Sequence, residues 1–251
     1  MTKSLKGRLP VKKDPRSLKL NNFLKQEQIN LPKKWNWDEA IGKDEWGIMY
    51  NNETANCTIA TAGHFIMAWT ASNGKLFKPS DEAIIHTYMA MTGYNPITRE
   101  NDTGLNSLDV LKYWRKYFIH GHKIFAFADI AWKNHDEVKQ AIYLFGGCFA
   151  GLNLPKNCED QHRWELPTTG AKGDFEVGSW GGHAIFISGY SENGLKAVTW
   201  GKEKWMSWEY WDTYCDEAYA VLSESFIKDN KNPAGVDIKA LQDAITKLKN
   251  T

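Results

Sequence analysis

The sequence predicts an α+β protein of two lobes, a helical lobe followed by an antiparallel β-sheet or barrel lobe, with a cleft between them. Helical patterns crowd residues 57–117, and strand patterns crowd residues 123–222. The helix that opens the first group is apolar on most faces, as expected of a helix at the centre of a lobe. At 251 residues the chain can bury a full core without staples.

The elements follow in order. Residues 1–34 read as a basic extended arm. Up to position 25, Lys3, Lys6, Arg8, Lys12, Lys13, Arg16, Lys19 and Lys25 stand against Asp14 alone, with Pro10 and Pro15 and no helical period. Such an arm is a solvated tail, or it lies on the protein's own body, on a neighbouring subunit or on a protein partner. Residues 35–122 form the helical lobe. Positions 34–46 read as strand or loop and 50–56 as a polar turn. A helix then runs over 57–70 and stops at Asn73 and Gly74. Residues 80–92 begin with Ser80 and acids, which suit an N-cap and first turn. Residues 107–117 repeat the device, with apolar residues at Leu108, Leu111 and Trp114 or Tyr113.

Residues 123–225 form the β-rich lobe. Strands at 123–130 and 148–154 flank a helix at 136–145. Strands at 183–190 and 195–200 are joined by a hairpin-like turn, and 218–222 adds another. Residues 226–251 are a tail, in which Ile238, Leu241, Ile245 and Leu248 make an apolar helical stripe behind Asp237 as cap.

Composition narrows the function. A net charge of +1 gives no global pull toward nucleic acid or anionic membrane. There is no secretory h-region, and no run approaches the ~18 apolar residues of a membrane span, so a cytoplasmic location is expected. Cys57, Cys148, Cys158 and Cys215 contain no CxxC pair, which argues against a disulfide framework and a zinc knuckle. His120 and His122 lack a third ligand, and phosphate-loop and dinucleotide glycine motifs are missing, so neither metal nor cofactor is expected. Of 12 Trp, five (Trp180, Trp200, Trp205, Trp208 and Trp211) crowd one late segment, where packing explains them better than ligand contact.

Cys57 is the candidate nucleophile. A thiol attacks as thiolate, and a helix start offers free N–H groups and a positive dipole end that favour the anion. The Cys57 N–H can also serve an oxyanion on a bound carbonyl, with Asn51 six residues upstream as second donor and Asn52 as its neighbouring alternative. His183 is the candidate base, because it opens an apolar strand after the glycine-rich run 178–182. His64, two turns along the helix from Cys57 or about 10 Å, is too far and reads as a core or lobe-interface residue.

Cys57 at the head of a buried helix, then DEVKQAIYLFGGCFAGLNL (136–154), GGHAIFISGY (181–190) and VTWG (198–201) together resemble the papain-like cysteine peptidases, at the level of landmarks over roughly residues 35–225. The chain is also similar to papain-like proteins of phage and prophage genomes, which implies host cytoplasm or virion as location. The resemblance implies a catalytic Cys57–His183 pair, an acyl-enzyme, a peptide or protein substrate, and Trp200 as cover for the histidine. There are three departures. Asn51 stands for the family's oxyanion glutamine, Thr58 follows the nucleophile where Trp is usual, and Val198 replaces the asparagine that orients the histidine. Thr199 or Asp216 are the candidate third members. Two alternatives to amide or isopeptide hydrolysis follow: a non-catalytic structural or accessory protein, such as a phage particle component, and acyl transfer to an amine.

Overall fold

The computed structural model describes residues 7–24, 29–239 and 243. Its helices and strands alternate between a helical side and one large sheet. The helical side comprises α2 (Cys57–Ser72), α3 (Asp81–Thr92) and α4 (Ser107–Lys116). All of α2 except Thr70 and Ser72 is buried. Its Phe65 ring lies 4.5 Å from Phe186 of the sheet, and its Trp69 stacks on Trp114 of α4 at 5.4 Å. One helix therefore welds both lobes through aromatic contacts, which explains its lack of a polar face. Ser80 caps α3 by accepting the Ala83 N–H, as its sequence position suggests.

The sheet contains β1 (Leu18–Lys19), β2 (Trp35–Asn36), β3 (Ala126–Asp129), β4 (Cys148–Leu154), β5 (Gly181–Ser191), β6 (Gly194–Thr199), β7 (Lys202–Ser207) and β8 (Cys215–Leu222). Their order is β1-β3-β8-β4-β5-β6-β7, with β2 paired to β5. Every pairing is antiparallel except β1 with β3. The sheet is open and does not close into a barrel. Against it lies α5 (His135–Phe145), capped by Asn134, and α6 (Trp208–Tyr214) joins β7 to β8. Neither β7 nor α6 is apparent in the sequence. The first is an edge strand of mostly half-buried, charged residues, and the second has only seven residues, too few to show a period.

In its described residues, 7–24 and 29–34, the arm lies on the protein's own body. A short helix, α1 (Asn21–Leu24), follows β1. Lys19 pairs with Asp129, Lys12 with Asp109 on α4, and Asp14 receives both Arg16 and Lys112. In the tail Ile238 is buried and Asp237 accepts the Lys239 N–H, whereas Leu241, Ile245 and Leu248 lie outside the described residues. Among the described residues no helix is long and apolar enough to cross a membrane.

Candidate active site

The register of the sheet creates the site. Strand β6 pairs with β5 only from Phe186 onward, so the first residues of β5 have β4 on one side and a free edge on the other. The N-terminus of α2 fills that edge. There the Cys57 sulfur accepts the Ala184 backbone N–H at 3.3 Å, one residue along the chain from His183. His183 is the third residue of β5 rather than its first, because the strand recruits Gly181 and Gly182. The Cys57 sulfur thus bonds to the residue next to His183, and both side chains are buried, 1% and 0% exposed, with no hydrogen bond between the sulfur and His183 Nδ1.

The histidine is fixed on three sides. Its Nε2 lies 2.7 Å from the Thr199 hydroxyl. Trp200 stacks on the ring at 4.6 Å, and Trp180 meets it edge-on at 5.7 Å. Trp200 adopts φ 49°, a left-handed conformation that costs a bulky residue about 1–3 kcal/mol. Asp216, the other candidate third member, does not bond to His183; it binds Arg8 and Asn153. The tautomer that donates from Nε2 to Thr199 leaves the lone pair on Nδ1, which is buried and without a partner. The Thr58 hydroxyl and Trp200 Nε1 are buried without partners as well.

Asn51 is buried, and its Nδ2 donates to Asn56 Oδ1 at 3.1 Å, while Asn56 Nδ2 donates to the Met49 carbonyl at 2.8 Å. One N–H of the Asn51 amide is thereby spent and one remains. Asn52 is half-buried. His64 is buried and bonded through Nε2 to the Gly47 carbonyl at 3.1 Å, away from the thiol.

What the sequence does not reveal is that the arm crosses this site. Gly7 lies against it so closely that a side chain there would meet the Ala55 carbonyl at 2.6 Å and the Cys57 sulfur at 2.9 Å. The Leu105 N–H donates to the Gly7 carbonyl at 3.0 Å, the Arg8 N–H donates to Gly182 at 3.2 Å, and the Leu9 N–H donates to Leu105 at 3.0 Å. The arm is thus hydrogen-bonded across the free edge of β5, with the Gly7 carbonyl turned toward Leu105.

Coverage dominates the electrostatics. Burial pushes the Cys57 thiol up to about 11, although the Ala184 N–H, Arg8 and the N–H groups at the helix start all favour the anion. Burial, reinforced by the Arg8 charge, pulls His183 down to about 3. The helix-start argument has the right sign, but desolvation outweighs it, so the pair is neutral in this conformation.

No family model matches the sequence, and no curated protein matches it. Solved structures do. Xylellain, a cysteine protease from Xylella fastidiosa, is similar with a TM-score of 0.63 and 16% identity, over 88% of this chain and 97% of that one. Procathepsin B S9 from Trypanosoma congolense gives 0.58 and 12%, over 89% and 87%. The digestive procathepsin L 3 of Tenebrio molitor larval midgut gives 0.54 and 9%, over 88% and 75%. The chain therefore has the α+β fold of the papain-like cysteine proteases.

Proposed function

We propose that the chain is a cysteine hydrolase of amide or isopeptide bonds, acting on peptides or proteins through Cys57 and His183, and that the arm covers its cleft in the resting state. The observation that carries this reading is the thiol at the head of α2, 3.3 Å from the N–H of Ala184, the residue that follows a histidine whose Nε2 is held 2.7 Å from Thr199. The resemblance to cysteine proteases in fold supports it.

In the uncovered site the Cys57 proton passes to His183 Nδ1, and the thiolate adds to the substrate carbonyl carbon. The Cys57 N–H and the unspent N–H of Asn51 receive the oxyanion. Collapse breaks the C–N bond, and the imidazolium protonates the departing amine. A water that gives its proton to His183 then cleaves the thioester, which releases the acid and restores the thiol. Thr199 holds the ring in the orientation that both transfers need.

The test is Gly7→Val, whose added methyls meet Ala55 and Cys57 and so displace the arm. In that variant Cys57 is expected to react with iodoacetamide ahead of Cys148, Cys158 and Cys215, and casein or peptide amides to be hydrolysed; Cys57→Ala on the same background abolishes turnover. Equal reactivity of all four cysteines in a folded Gly7→Val protein would remove the nucleophile from this account.

The neutral, covered pair also favours a second reading, a non-catalytic module such as a component of a phage particle. That reading expects Cys57→Ala to leave the biological role intact while loss of the arm destroys it.

A further inference from the structure

Arg8 of the arm is the occupant of a pocket that the catalytic pair does not use. Its side chain is fully buried. Nη1 donates to Glu217 Oε1 at 3.0 Å, and Nη2 donates to Asp216 Oδ2 at 2.8 Å and to Asn153 Oδ1 at 3.1 Å. The pocket has its own scaffold. Asn153 Nδ2 donates to Asp216 Oδ2 at 2.7 Å, Ser107 donates to Glu217 Oε1 at 2.6 Å, and the Tyr219 hydroxyl donates to Glu217 Oε2 at 3.0 Å. These bonds hold both carboxylates without help from the arm. Gly151 completes the shape, because a Cβ there would meet Glu217 Cγ at 2.6 Å and Arg8 Cδ at 2.9 Å.

A buried Glu217 carboxylate and a partly exposed Asp216 carboxylate, each bonded to one arm of the fork, match a planar guanidinium better than an ammonium. The present fit is incomplete, since Arg8 Nε and Asp216 Oδ1 are buried without partners. Access exists from one side: Asp216, Glu217 and Tyr219 also line a cavity of about 540 Å³ beneath the arm.

We infer that Asp216, Glu217 and Asn153 form a guanidinium-binding subsite of the cleft, which selects substrates carrying arginine and is occupied at rest by the chain's own Arg8. Selection of substrates rests on the hydrolase reading proposed above; binding of a guanidinium does not. Because Arg8 and Gly7 are adjacent, the same subsite anchors the segment that covers the sulfur.

The experiment uses the full chain with Arg8→Ala, and Arg8→Gln as a companion whose amide still donates to the carboxylates. Arginine amide and citrulline amide, which differ in charge but hardly in shape, are the probes, read by calorimetry and thermal shift. Arginine amide is expected to bind the variants at least about tenfold more tightly than citrulline amide, and adding Glu217→Gln to remove most of that preference. The wild-type chain, with its pocket filled, binds neither tightly. Where a variant does not fold unaided, refolding yield with arginine amide against citrulline amide is the same comparison. Equal binding or equal yields overturn the inference. Selective binding without hydrolysis in the Gly7→Val chain sinks the hydrolase reading alone; hydrolysis indifferent to arginine against citrulline in peptide amides sinks the subsite alone.

Discussion

His183 Nε2 lies 2.7 Å from the hydroxyl of Thr199, the residue that follows Val198 in chain order. A hydroxyl at that distance can accept the ring N–H and leave the lone pair on Nδ1, and in the hydrolase proposed above it takes the orienting role that Val198 cannot. Thr199→Val keeps the shape and removes the bond. It is expected to lower kcat by roughly 10- to 100-fold with KM little changed, about 1.4–2.7 kcal/mol of transition-state stabilisation, and Thr199→Ser to restore most of it. Steady-state kinetics in the arm-displaced chain decide the matter; unchanged kcat in Thr199→Val would exclude Thr199 as a positioning residue.

Asn51 predicts a different signature. Loss of an oxyanion donor costs about 10²–10³ in kcat, and the alkylation rate of the thiol does not depend on that donor. Asn51→Ala should therefore slow hydrolysis while iodoacetamide labelling of Cys57 continues at the parent rate. Parallel loss of both would mean that the Asn51–Asn56 bond merely braces the head of α2.

Trp200 covers the ring at 4.6 Å. Its removal lets water reach an imidazole that burial holds at about 3. In Trp200→Ala the His183 titration, followed by NMR of the ring protons, should move up toward the ordinary histidine range, whereas Trp200→Phe should leave it low. A titration unmoved by Trp200→Ala would assign the depression to the other groups that bury the ring, Trp180 and the arm among them.

Stability should fall on both sides of neutrality. Folded His183 titrates at about 3 and His64 at about 4, both depressed by burial, against an ordinary value of 6.5. Between those values the unfolded chain binds protons that the folded chain refuses, so stability declines as pH drops from 6.5 toward 4. At the alkaline end the folded Cys57 keeps its proton to about 11 while an unfolded thiol releases it near 9.0, so stability declines again as pH rises through that interval. Urea midpoints across pH check both limbs, and His64→Asn should flatten the acid limb. An acid limb as steep in His64→Asn as in the parent would mean that other groups cause it.

The local pattern of the chain was enough to locate most elements. The limits of β4 match the predicted strand, and α2, α3, α4 and α5 lie within two residues of the predicted helices, because each carries its own period, cap or stop. The likeness to papain-like proteases was legible from a cysteine heading a buried helix and a histidine behind a glycine run. Edge strand β7 and short helix α6 were not, since neither has a full apolar face.

Arg8 is the sharpest contrast. In sequence it is one of eight basic residues in an arm that reads equally well as a tail, and Asp216 and Glu217 are an ordinary acidic pair at the start of a strand. The sequence by itself determined where a thiol meets a helix dipole and where a strand carries an imidazole. Only the tertiary structure decided that Thr199 rather than Asp216 reaches the ring, that Gly7 covers the sulfur, and that desolvation neutralises the pair. Those outcomes depend on contacts between residues distant in the chain, whose energies arise when water is excluded between them, and local sequence carries no record of that exclusion.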